Sequence, residues 1–205
     1  MAIITAMIGD SRFSAIMLSR IVGSWLLRAP LASQGEEMRE DVSFLFQREL
    51  DALAREVSLY PSDGDVWRPV AGQPNVGGTL VLHLCGNLRH FVGVGLGGSG
   101  YVRDRALEFS RRDVSRTELL AQIAVTKAEV ASALAGVGDA VMRQAFPWES
   151  GGATVRVDLF LIHLLSHLAF HLGQVDYHRR ATTGDVTSAA PMSAETLAAA
   201  PSSSR

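Results

Sequence analysis

A single cysteine, Cys85, occurs in 205 residues, so no disulfide can close within the chain and no cysteine-rich zinc site can form. This excludes a secreted disulfide scaffold and suits a reducing compartment, so a cytoplasmic location is expected. Neither sign of charge is in excess: 19 Lys+Arg stand against 21 Asp+Glu, for a net charge of −2. Without a basic surplus there is little to neutralise phosphates, and no nucleic acid partner is expected. Long apolar runs are also lacking. The most apolar uncharged stretch, Leu159 to Val175, carries His163, His167 and His171 and falls short of the roughly 20 residues a bilayer requires, so no membrane partner is expected. There is no alternating strand pattern, internal repeat or coiled-coil heptad.

What is present is length enough, with 47% hydrophobic residues, to bury one sizeable core in a single domain. Residues 1–35 contain apolar stretches divided by Asp10, Arg12, Arg20 and Arg28, which reads as an N-terminal extension able to be helical rather than a signal peptide with an unbroken apolar region. Met38, Val42, Phe46, Leu50, Leu53 and Val57 then recur at helical steps and predict a first core helix, broken at Pro61. Asn75 reads as the N-cap of a second helix with Leu80, Leu84, Leu88 and Phe91 on its apolar face and His83, Asn87 and His90 beside them. The glycine run from Gly93 to Gly100 predicts a turn or hinge; it follows a helix rather than a strand, which argues against a dinucleotide loop.

Ser115 and Glu118 form a capping box that should open a third helix, whose stripe is Leu119, Ile123, Val130 and Leu134. The stretch from Asp158 to Arg180 is apolar almost all round and predicts a fourth helix central to the fold. From residue 181 on, 18 of 25 residues are Ala, Ser, Thr or Pro, a composition that predicts a disordered tail over 181–205. Four long helical patterns without strands predict an all-α chain, an antiparallel four-helix bundle over 36–180.

Four of the six histidines fall in the fourth helix, and His163, His167 and His171 are spaced i, i+4, i+8 along one face. Two imidazoles at i and i+4 can converge on one metal ion, so a further ligand must come from another helix, and His83 is the best placed to supply it. The alternative is a set of core histidines that only hydrogen-bond. No glutamate lies between the histidine pairs, which excludes a thermolysin-like protease, and no paired Glu-x-x-His supports a di-iron centre. Cys85 reads as a small buried hydrophobe, and the sequence offers no separate general base.

Taken in order, Trp67-Arg68-Pro69, Asn75, His83-Leu84-Cys85-Gly86-Asn87, Arg105 with Glu108-Phe109, and His167-Leu168-Ala169-Phe170-His171-Leu172-Gly173-Gln174 resemble the DinB-like family of metal-binding four-helix bundles. The resemblance covers roughly residues 36–180. It implies metal ligation by His83, His167 and His171, with His163 and His178 outside the ligand set as supporting or packing residues. Ala106 departs from the pattern, since related sequences often place an acid there. Glu108, Asn87 and Gln174 become candidates for orienting a ligand histidine or a metal-bound water, although each also reads as a helix cap or helix–helix contact.

The resemblance also implies a function: a metal-dependent enzyme that transfers a low-molecular-weight thiol to an electrophilic substrate, or hydrolyses a substrate with metal-bound hydroxide. Zinc, nickel and iron all suit neutral imidazoles with an open position. The rival reading is a non-catalytic, stress-responsive bundle that binds a metal or small molecule and pairs with itself as a homodimer.

Overall fold

The computed structural model describes residues 33–149, 152–189, 194–198 and 200. The expected N-terminal extension therefore lies almost wholly outside the described residues. Among them the chain is all-α, and extended pairing is limited to one isolated bridge between Ala145 and Arg156.

Helix α1, Ser33–Leu59, buries the stripe Val42, Phe46, Leu50, Leu53 and Val57 read from the sequence. A single turn, α2 (Asp63–Val66), follows, capped by Ser62, whose Oγ accepts from the Asp65 amide. Helix α3, Gly77–Leu88, is buried along its entire length and is the central element of the fold. Its start differs from expectation, because Val76 rather than Asn75 occupies the cap and makes no side-chain bond there. It continues as a π-helical segment, Arg89–Val94.

The glycine run proves to be helical further than composition suggested. Backbone bonds continue through Gly95, Leu96 and Gly97, and the chain turns only at Gly98, with φ +63. The reason is close packing: a Cβ on Gly97 would lie 2.7 Å from that of Ala133. Glycine is used here for approach rather than for a turn.

Helix α4, Arg105–Ser110, is short, and Asp104 Oδ1 accepts from the Leu107 amide at its start. Helix α5, Arg116–Gly136, begins with the Ser115 half of the expected capping box, Ser115 Oγ accepting from the Glu118 amide at 3.1 Å, whereas the Glu118 carboxylate accepts from Arg111 at 2.7 Å instead of reaching back to the cap. Among the described residues α5 is the one helix long and apolar enough by length and composition to cross a membrane. Its charged residues nevertheless bind protein: Lys127 pairs with Asp51 of α1 at 2.6 Å, and Glu129 with Arg89 at 2.8 Å.

After the turn α6, Asp139–Met142, helix α7 runs from Val157 to Thr183. It is not the all-buried helix its composition predicts. One stripe, including Phe160, Leu161, Leu164, Leu168, Leu172 and Val175, is buried, whereas Leu159, Ile162, Phe170 and Tyr177 are exposed. The central place belongs to α3, whose glycines and small residues let neighbours close in on every side. The segment after α7 is also tied down where disorder was expected. Arg179 is fully buried and donates to the carbonyls of Asp185 and Thr187, and Arg55 donates to that of Ala189. A short helix, α8 (Ala194–Leu197), lies within the same stretch.

Candidate metal centre

Helix α3 packs against α4, α5 and α7, and this brings His83, from the middle of α3, against His167 and His171 on consecutive turns of α7. One ligand-capable atom from each of the three lies within 4.8 Å of the other two. His83 Nε2 and His167 Nε2 are 3.3 Å apart. A tetrahedral ion with bonds of ~2.0–2.1 Å separates its ligand atoms by about 3.3–3.4 Å, so this pair already spans a coordination edge.

The far side of each ring decides whether its inward nitrogen carries a lone pair. His83 Nδ1 donates to Glu108 Oε2 at 2.9 Å, which leaves Nε2 unprotonated and aimed at the cluster. His171 Nδ1 donates to Gln174 Oε1 at 2.6 Å, one helical turn along, and this fixes its tautomer in the same sense. His167 Nδ1 is buried with no hydrogen-bond partner. The three imidazoles could hold a metal ion, and a neutral nitrogen donor set of this kind suits a divalent transition metal.

Glu108 is itself fixed. Arg103 donates to it twice, Nε to Oε1 at 2.7 Å and Nη2 to Oε2 at 3.0 Å, in a partly buried fork. Burial alone would raise the Glu108 pKa, but the hydrogen bonds from His83 and Arg103, with the Arg103 charge, outweigh it and hold the carboxyl below its ordinary value. Glu108 fits only because residue 86 has no side chain, since a Cβ on Gly86 would overlap its Oε1. Phe109 covers one face of His83, with ring centroids 4.9 Å apart.

Burial, followed by the neighbouring His171 and His83, pushes the His167 pKa down to about 4, and burial lowers that of His171 as well. The His167 ring therefore stays neutral well into mild acid.

The remaining candidates separate clearly. Glu108 and Gln174 each orient a cluster histidine. Asn87 is buried but its Oδ1 has no partner, and it bonds none of the histidines. His163 is exposed and stacks on Phe160 at 6.0 Å, outside the cluster. His178 is a packing residue, held between the Tyr60 hydroxyl at 2.7 Å and the Arg68 carbonyl at 2.9 Å.

Sequence reasoning missed Arg103 and the reason for Gly86. The first had one faint signal, a cation five residues ahead of an acid on a short capped helix. The second had none, because the contact joins residues in different helices.

Next to the cluster lies a cleft of ≈ 270 Å³ that His171 and Gln174 share with the loop 72–75. Larger grooves of ≈ 430 and ≈ 420 Å³, one between α1 and α5 and one beside the start of α7, have no histidine in their linings. Comparison with family models, curated proteins and solved structures found no match to the chain.

Proposed function

We propose that this protein is a metal-dependent enzyme whose centre is His83, His167 and His171, and that it transfers a low-molecular-weight thiol to an electrophile. The observation that carries the metal is the pairing of a 3.3 Å His83–His167 separation with outer bonds that leave the inward nitrogens of His83 and His171 bare. The thiol comes from the resemblance to DinB-like proteins, whose antiparallel bundle would here be built from α1, α3, α5 and α7.

Bound at this centre, a divalent ion such as zinc, nickel or iron supplies a Lewis-acid position that makes a coordinated thiol or water acidic near neutral pH. The chain's residues do the rest. Glu108 holds the His83 Nδ1 proton, and Arg103 keeps Glu108 ionised and in line. Gln174 sets the rotation of His171, and the burial of His167 keeps its ring from taking up a second proton. Three protein ligands leave a position for a small molecule, the arrangement found in catalytic rather than structural sites.

The test is a thiol-addition assay using metal-loaded protein with small thiols and a fluorogenic haloalkyl bimane. Acceleration above the thiol-only rate that disappears with chelator and with His171→Ala supports the reading. No acceleration by protein shown to carry metal counts against the transferase.

A further inference from the structure

The cleft beside His171 has a chemical character of its own. Its walls are the Gly72–Asn75 loop and Leu80 on one side and His171, Gln174 and Tyr177 of α7 on the other, and no Asp, Glu, Lys or Arg lines it. The chain is one-fifth charged, so this neutrality distinguishes the cleft from the general surface. Its polar side chains are three carboxamides, a phenol and the imidazole of His171. Gln73 and Asn75 make no side-chain hydrogen bond among the described residues, and neither does the Tyr177 hydroxyl. Gln174 gives its Oε1 to His171, which aims its amide N–H groups away from that ring as donors. Pro74 and Leu80 supply the apolar floor. At ≈ 270 Å³ the cleft lies just under the usual range for small-molecule pockets, about 300–1,000 Å³.

A carboxylate or ammonium entering this cleft in the metal-free protein would lose water and find no countercharge among the lining side chains, whereas an amide or hydroxyl would find both donors and acceptors. We propose that this cleft binds the ligand of the histidine centre and selects an uncharged small molecule bearing amide or hydroxyl groups, placed so that its reactive atom reaches the cluster past His171. The inference rests on the metal-centre reading for the last clause only; the selectivity belongs to the cleft. It also narrows the thiol class. Thiols recognised through carboxylates have no anchor here, and thiols recognised through amide and hydroxyl groups do.

Two probes of nearly equal shape test this, N-acetyl-L-cysteinamide and N-acetyl-L-cysteine, which differ by one negative charge. In the metal-free protein at neutral pH both thiols are protonated, so differences in thiol acidity do not enter. Side-chain amide resonances of Gln73, Asn75 and Gln174 are followed by NMR titration. The neutral probe is expected to shift them and to bind at least about tenfold more tightly than the anion. Asn75→Lys, at a partly exposed loop position, should narrow or reverse that preference while leaving the melting temperature unchanged. Equal affinity for the two probes, tighter binding of the anion, or no shift of these resonances with either probe overturns the proposal.

Cobalt loading then separates the two claims. A thiolate-to-cobalt band elicited by the amide, together with the cleft shifts, supports both. Cleft binding in a protein that loads no cobalt keeps the selectivity and removes the metal. A band without cleft shifts keeps the metal and removes the cleft.

Discussion

Glu108 Oε2 lies 2.9 Å from His83 Nδ1, and the same carboxylate receives two hydrogen bonds from Arg103, so a chain from a partly buried arginine through a buried glutamate to a buried histidine ends on the candidate centre. Its members come from the loop after the π-helical segment, from α4 and from α3. Glu108→Gln keeps the shape but removes the charge that favours the Nδ1–H tautomer of His83. Metal affinity should fall by about 10–100-fold, measured by chelator competition, with helix content unchanged. An unaltered affinity would show that Glu108 serves only the packing of α4.

Gly86→Ala tests the same chain from its other side. The new methyl group must displace the Glu108 carboxylate, so both metal affinity and stability should drop, the latter by roughly 1–3 kcal/mol as for other overpacked sites. Gly173→Ala on α7 is the control. Nothing lies within 4 Å of its Cβ position, and removing a glycine from a helix interior should stabilise by roughly 0.5–1 kcal/mol. Chemical denaturation of the two variants should show shifts of opposite sign.

The pH dependence follows from His167. Its folded pKa, about 4, lies below the ordinary imidazole value, so on acidification the unfolded chain takes up a proton that the folded chain refuses. The metal-free protein should therefore lose stability as the pH falls from about 6.5 toward 4, with no change from this group above 6.5. An NMR titration of the His167 ring with a midpoint well under 6.5 confirms the cause, and a midpoint near 6.5 contradicts it. Bound metal should accordingly persist further into acid than free imidazole would allow.

Arg179 makes the segment after α7 part of the fold. It is fully buried, pairs with Glu56 at 2.5 Å and donates to Asp185 O and Thr187 O. A chain ended at Gly184 removes both carbonyl acceptors and should be less stable by about 1–3 kcal/mol. Glu56→Gln removes the most buried of the three carboxylates around the guanidinium and leaves Asp176 and Asp185, so it should also destabilise, by about 1–3 kcal/mol. Urea denaturation midpoints give both values, and a truncated chain as stable as the full one would show that water replaces the two carbonyls.

These residues also mark how far the sequence could be read. Periodicity placed α1, α5 and α7, and the capping box at Ser115 placed the start of α5, because those signals are local. The i, i+4 pair His167 and His171, with a lone histidine on another apolar helix, likewise indicated the cluster without coordinates. Failures came where distant segments meet. Gly93 to Gly97 look like a hinge unless one knows that Phe146 and Trp148 close on Gly95 and Ala133 on Gly97. The tail looks free until Arg55 and Arg179 are seen to reach for its carbonyls. Composition made α7 seem the core helix, but α3 alone is surrounded on every side. The orienting roles of Glu108 and Gln174 were open for the same reason, since either could have been a cap or a helix contact until the rings were placed.

The most direct test of the three-histidine centre is zinc X-ray absorption on protein purified without a histidine tag and loaded with one equivalent of zinc. The account predicts three imidazole nitrogens at about 2.0–2.1 Å with one further exchangeable ligand, a signature lost in His83→Ala, His167→Ala and His171→Ala alike. Failure to retain zinc, together with melting curves that coincide with and without chelator at neutral pH, would contradict it and leave three core histidines joined only by hydrogen bonds.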